Sequence, residues 1–160
     1  MLIAQANHLP MQRGLSGMRL SVEEQAQILA AVERSSYDTP DSWTAELVAA
    51  RVDLGANPGI VLRGTKLLCG GTGNCQLFVL RQVNGAWISL FGDEQAPVVE
   101  SFEFGPDITH GIKNLVVVTH FSDGKSERVR YRFDGQFYRR DPTAPLAQLR
   151  PPPSSVLSRR

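Results

Sequence analysis

The spacing of apolar residues changes period once along this chain. In LSVEEQAQILAAVERSSY, residues 20–37, Val22, Ala26, Leu29 and Val32 return at helical spacing. Ser21 followed by Glu24 forms a capping box: the hydroxyl accepts an amide at the helix start and the carboxylate reaches back to the cap's own N–H. The pattern predicts one helix, with Leu20 as the apolar staple before the cap and an end near residues 35–37, ahead of Pro40.

Beyond Trp43 the period drops to two. Val48, Ala50, Val52 and Leu54 alternate with Leu47, Ala49, Arg51 and Asp53, which predicts a strand, and a turn over residues 55–59 leads into a second, IVLRG. CQLFVLRQV and AWISLFG flank Asn84-Gly85, the strongest short hairpin signal, because both residues tolerate the positive φ of a type I′ turn. PVVESFEF reads as another strand and residues 105–113 as a loop. NLVVVTHF and SERVRYRF flank the turn at residues 122–125, and Asp134-Gly135 turns the chain into QFYRR. The expected fold class is α+β: one N-terminal helix packed on a mainly antiparallel, strongly twisted meander sheet of about seven or eight strands. A small barrel or sandwich with the helix at one end is the alternative. Residues 1–19 read as a flexible lead-in, 20–140 as a single domain, and 141–160, with five of the ten prolines, as an extended tail.

Composition adds limits. A length of 160 residues suffices for an ordinary core without metals. The formal charge of +1 provides no global field toward nucleic acid or anionic lipid. No apolar run reaches the ~18–20 residues of a membrane span. Ala4-Gln5-Ala6 after Met1-Leu2-Ile3 has the small-residue pattern of a secretory cleavage site, without the basic start and long apolar run of a working signal. Export and coincidence both stand as readings of it.

Both cysteines lie in CGGTGNC, residues 69–75. Zinc needs four ligands, or three and a water; C-x5-C is not a half-knuckle spacing, and His8, His110 and His120 are scattered, so no metal is expected. A catalytic thiol would need Cys69 or Cys75 beside a base such as His110 or His120, and nothing in the spacing brings them together. A phosphate loop would run into a helix with Lys and Ser or Thr behind it, whereas this one runs into a strand. A Cys69–Cys75 disulfide remains. Glycines permit the reversal that brings the two sulfurs together, and a ring this small gains about 2 kcal/mol on the chain-entropy model. Such a bond points to an exported protein. Gly70, Gly71, Thr72, Gly73 and Asn74 then form a stiff candidate binding loop.

Arg128, Arg130 and Arg132 alternate along one strand and share a face, either an anion-binding stripe or a solvated surface partly neutralised by Glu100 and Glu103. Asp93-Glu94, Glu103 and Asp107 are candidate acid/base carboxylates, although acids beside glycine and proline are commonly turn residues. Trp43 and Trp87 could stack on a ligand; Trp87, in a strand with Ile88 and Leu90, reads as core. No Gly-x-Ser-x-Gly, HExxH or EF-hand pattern occurs.

CGGTGNCQLFVLRQVNGAWISLF followed by NLVVVTHFSDGKSERVRYRFDGQFY resembles uncharacterised bacterial envelope and secreted domains, which place a short Cys–Cys loop before a hairpin and close with a YrFDGxxY-like strand pair. The FDGQ turn is also similar to a half-blade of FG-GAP-type repeats, without their Asp-rich calcium loop. The first resemblance implies a fold and a compartment, periplasmic or secreted, and no reaction. The resulting expectation is a non-enzymatic exported binding or inhibitor-like module without cofactors. Its partner would be an envelope or secreted protein rather than nucleic acid. A small thiol-dependent or other hydrolase and a structural protein self-associating through a sheet edge are the alternatives.

Overall fold

A computed structural model describes residues 11–36, 43–92 and 95–141. Residues 1–10 with their cleavage-like pattern, Asp93 and Glu94, and the proline-rich residues 142–160 lie outside the described residues, as does the Trp43 side chain.

The helix α1, Val22–Ser35, begins where the capping box puts it. Glu24 N–H donates to Ser21 Oγ at 3.0 Å, and Ser21 N–H donates to Glu24 Oε2 at 2.8 Å. The other oxygen of the same carboxylate accepts from Trp87 Nε1 and Gln82 Nε2, both at 3.2 Å. One glutamate thus closes the helix end and fastens it to the strands beneath. The Ser21 amide and the Trp87 indole hold its pKa below the ordinary value. The buried face keeps Val32 and the half-buried Leu29 of the expected one and drops its first two residues. Ile28, Ala31, Val32 and Ser35 point inward, while Val22 is 86% exposed in the first turn. The i, i+3, i+4, i+7 stripe begins at Ile28, so Val22 and Ala26 do not define it. Leu20 packs against the core, as a staple residue should.

The structure is α+β, and the described residues form ten strands in two antiparallel sheets. The first sheet runs β1 (Gln12–Arg13), β2 (Leu47–Asp53), β3 (Pro58–Gly64), β4 (Cys75–Val83), β5 (Ala86–Ser89), with β6 (Val98–Val99) also pairing with β4. The second runs β10 (Tyr138–Arg140), β9 (Ser126–Phe133), β8 (Ile112–His120), β7 (Ser101–Thr109). One core lies between α1 and the first sheet, with Ile60, Leu62, Phe78, Leu80 and Trp87 beneath the helix. The opposite residues of the same strands, Val61, Leu77 and Val79, meet Leu115, Val117, Val129 and Phe133 of the second sheet in a second core. Every central strand therefore alternates between two apolar layers, which explains why CQLFVL reads as almost continuously hydrophobic.

Three differences from the expected elements have local causes. PVVESFEF divides at Glu100, where the chain crosses between sheets; Glu100 N–H donates to the Val118 carbonyl at 2.7 Å and the Glu100 carbonyl accepts from Arg63 Nη2 at 2.6 Å. The loop expected over 105–113 is a hairpin, because a register shift between Phe104 and Ile108 absorbs Gly105-Pro106 and leaves only His110-Gly111 as the turn. The lead-in carries structure from Met11 onward: β1 pairs with Val48 and Ala49, and Leu15 and Met18 are buried around a 3-10 turn.

Asn84 and Gly85 have φ of 50° and 79°, matching the type I′ turn expected between β4 and β5. In the FDGQFY segment, Asp134 Oδ1 accepts from the N–H groups of Gln136 and Phe137, each at 2.8 Å, and Oδ2 accepts from Arg139 Nε at 3.1 Å. Those amides, then the guanidinium, hold the Asp134 pKa down to about 2 from its ordinary 3.8. A depressed folded-state pKa contributes stability that is complete above the unfolded value and fades as pH falls from about 4 toward 2. Asp134→Asn should therefore lose less melting temperature than the parent protein between pH 5 and pH 2.5; an equal loss in both would remove Asp134 as a source of acid sensitivity.

Candidate functional site

The loop singled out in the sequence is a covalently closed hairpin tip. After β3 and a 3-10 turn at Lys66–Leu68, Cys69 faces Cys75 as an isolated antiparallel bridge, and their sulfurs are bonded. Inside the ring, Gly70 N–H donates to the Asn74 carbonyl at 2.8 Å and Gly73 N–H donates to the Gly70 carbonyl at 3.1 Å. Gly73 takes φ +82°, the left-handed residue that closes a three-residue hairpin loop. Gly70 and Gly71 do not have positive φ.

The turn between β8 and β9 repeats this construction. Phe121 N–H donates to the Lys125 carbonyl at 2.8 Å, Gly124 N–H donates to the Phe121 carbonyl at 3.0 Å, and Gly124 has φ +81°. Two hairpin tips of the same kind, one from each sheet, stand at the same end of the molecule.

Asn74 joins them. Its residue is only 6% exposed. The side-chain Nδ2 donates to the His120 carbonyl at 2.6 Å and to Thr72 Oγ1 at 2.7 Å, while Oδ1 accepts from His120 N–H at 2.9 Å. The amide group thus reproduces one rung of a β-ladder with the end of β8. Within the expected binding loop, Asn74 is therefore a buried clamp, and the exposed positions are Gly70, Gly71, Thr72 and Gly73. Phe121 is 43% exposed, on the tip held by the clamp. His120 sits behind it, with Nδ1 3.1 Å from Ser126 Oγ. The sequence signalled the ring but not its neighbour, since Asn74 and His120 are 46 residues apart.

Both sulfurs are committed to the bridge, so the thiol reading has no nucleophile while it stands. His110 lies in the β7–β8 turn at φ 48°, at the opposite end of its strands from His120. Trp87 is buried with its indole on Glu24. Among the described residues no three His, Cys, Asp or Glu side chains converge as a metal site.

Arg128, Arg130 and Arg132 share one face of β9, and the protein's own carboxylates meet them. Arg128 Nη2 donates to Glu103 Oε1 at 2.7 Å. Arg130 donates from Nε and Nη2 to Asp141 Oδ2 at 2.9 and 2.7 Å, and Arg132 Nη1 stands 4.0 Å from the same oxygen. The Asp141 side chain is 3% exposed. Arg128 and Arg130 of the stripe are thus ion-paired within the protein, by Glu103 and by the buried Asp141.

Comparison of the chain with protein-family models, with curated protein sequences and with solved structures returned no match. Among the described residues no helix is long and apolar enough to cross a membrane.

Proposed function

We propose that this protein is a non-enzymatic binding module of the bacterial envelope or secreted fraction, inhibitor-like in presenting a stiffened loop, residues 69–75, to a protein partner. A disulfide in a small ring fits an oxidising compartment, and the Ala4-Gln5-Ala6 pattern fits export. The observation that carries the reading is the bareness of the tip. Gly73 owes its identity to its backbone conformation, but Gly70 and Gly71 do not. A side chain at Gly71 would have nothing within 4 Å, and one at Gly70 would meet atoms only at 4.0 Å. The fold does not ask for glycine at either position. A partner that lays its own main chain against the loop does, because only glycine allows that approach.

A photo-crosslinking residue at Thr72 tests this in an envelope extract, with the same residue at exposed Gln136 as the control. A discrete protein adduct is expected from position 72, absent from 136 and weakened when Gly71→Val is added. Equal labelling from both positions, or an adduct indifferent to Gly71→Val, would refute the assignment.

A further inference from the structure

The first sheet ends at an edge that β1 covers only in part. Gln12 pairs with Ala49 and Arg13 with Val48, and no described strand continues along β2. Antiparallel strands turn the N–H and C=O of successive residues to opposite sides. Gly14 N–H donates to the Leu47 carbonyl at 2.8 Å, so the odd residues of β2 address the β1 side; Leu54 N–H donates to the Asn57 carbonyl at 3.3 Å, so the even ones address β3. The main-chain groups of Arg51 and Asp53 consequently face outward beyond the end of β1. Both residues are exposed and Val52 between them is half-buried; the Asp53 side chain, 78% exposed, accepts from Gly55 N–H through Oδ1 at 2.9 Å and its Oδ2 stands 4.0 Å from Lys113 Nζ, a surface pair that leaves the carboxylate open to a further cation. A shallow groove of about 420 Å³ follows Arg51, Val52 and Asp53 round the turn at residues 55–58. Beside it, near Gly55, stands Ile108, 57% exposed.

We propose that this edge is a self-association surface, where β2 pairs antiparallel with β2 of a second copy about a two-fold axis at Val52. The register sets Arg51 opposite Asp53 of the second copy and Asp53 opposite its Arg51, with the two Val52 side chains side by side on one face of the joined sheet. Arg51 and Asp53 are also the residues whose outward N–H and C=O groups would exchange hydrogen bonds in that register. Arg-Val-Asp is complementary in charge to its own reverse, and this selects a second copy as the occupant. Arg51 already donates to the Met18 carbonyl through one Nη2 and keeps further donors for the partner. The outer edge of the second sheet, β7, is a poorer template: its register breaks between Phe104 and Ile108, and Pro106 has no N–H to offer. The surface lies at the far end of β2 and β3 from the 69–75 loop, so this proposal and the loop's role stand or fall separately.

Sedimentation equilibrium of the full chain across concentration tests it, with circular dichroism as the check on folding. The mass should rise from monomer toward dimer. Arg51→Glu and Asp53→Lys should each weaken association at least about tenfold, replacing attraction by repulsion at both symmetric positions. Mixing the two variants should recover a heterodimer, since each then meets its opposite charge. If Arg51→Glu does not fold, Asp53→Lys read beside the control Asp107→Lys on β7 decides. A protein that stays monomeric at every concentration, or a dimer that Asp53→Lys leaves unchanged, overturns the proposal.

Discussion

Asn74→Ala is expected to cost about 2–3 kcal/mol of unfolding free energy, read from urea unfolding, and to release the His120 amide to hydrogen exchange. The substitution removes three hydrogen bonds, two of them to the His120 main chain. The larger consequence is what remains: a carbonyl and an N–H at the end of β8 lose their partner beneath the 69–75 ring. Leaving part-buried polar groups unmet costs more than the net worth of the bonds. Asn74→Asp separates charge from geometry. A carboxylate can still accept from His120 N–H but cannot donate to the His120 carbonyl or to Thr72 Oγ1, so it should also destabilise, more strongly once ionised. If Asn74→Ala unfolds at the parent's midpoint and leaves His120 exchange unchanged, the two tips are not held through this side chain.

Replacing Cys69 and Cys75 together by serine should cost about 2 kcal/mol, the entropy a ring of this size removes from the unfolded chain. Before reduction the parent should resist alkylation by iodoacetamide and weigh two hydrogens less than after it. A parent that takes up two alkyl groups without reductant would refute the bridge. The ring and the clamp act on the same residues, so their effects should not add: combining Asn74→Ala with the cysteine replacements should cost less than the two measured apart. Strict additivity would mean that the ring does not help to position Asn74.

The features legible in the sequence are those whose cause is local. Ser21 and Glu24 form their box within four residues, Asn84-Gly85 sets its own turn, and Cys69 and Cys75 lie six apart. Alternation marked β2 and β9, because a strand's facing depends on its own pleat, while β4 and β8 were marked as apolar runs beside a turn. What escaped notice depends on residues far along the chain. The crossover at Glu100 takes a single residue, and the two adjacent polar residues Glu100-Ser101 are too short a break to read as a turn between sheets. Gly105-Pro106 carried the signature of a loop, and a bulge at an edge strand accommodates both. Arg130 looked available as a cation because its partner, Asp141, sits at the border of a segment read as tail. Of the candidate site, the ring could be foreseen. The adjoining tip could not, since no short-range pattern relates Asn74 to His120.

The separation between clamp and target also orders events in time. The seven-residue ring can close as soon as its second cysteine leaves the ribosome, with little chain to bring together. The amide of residue 74 must wait for a strand that ends 46 residues later, after the crossover has carried the chain into the other sheet. If the contact forms after the rate-limiting step, weakening it by Asn74→Ala should hasten unfolding and leave the refolding rate nearly untouched; a slowed refolding would place it in the nucleus instead.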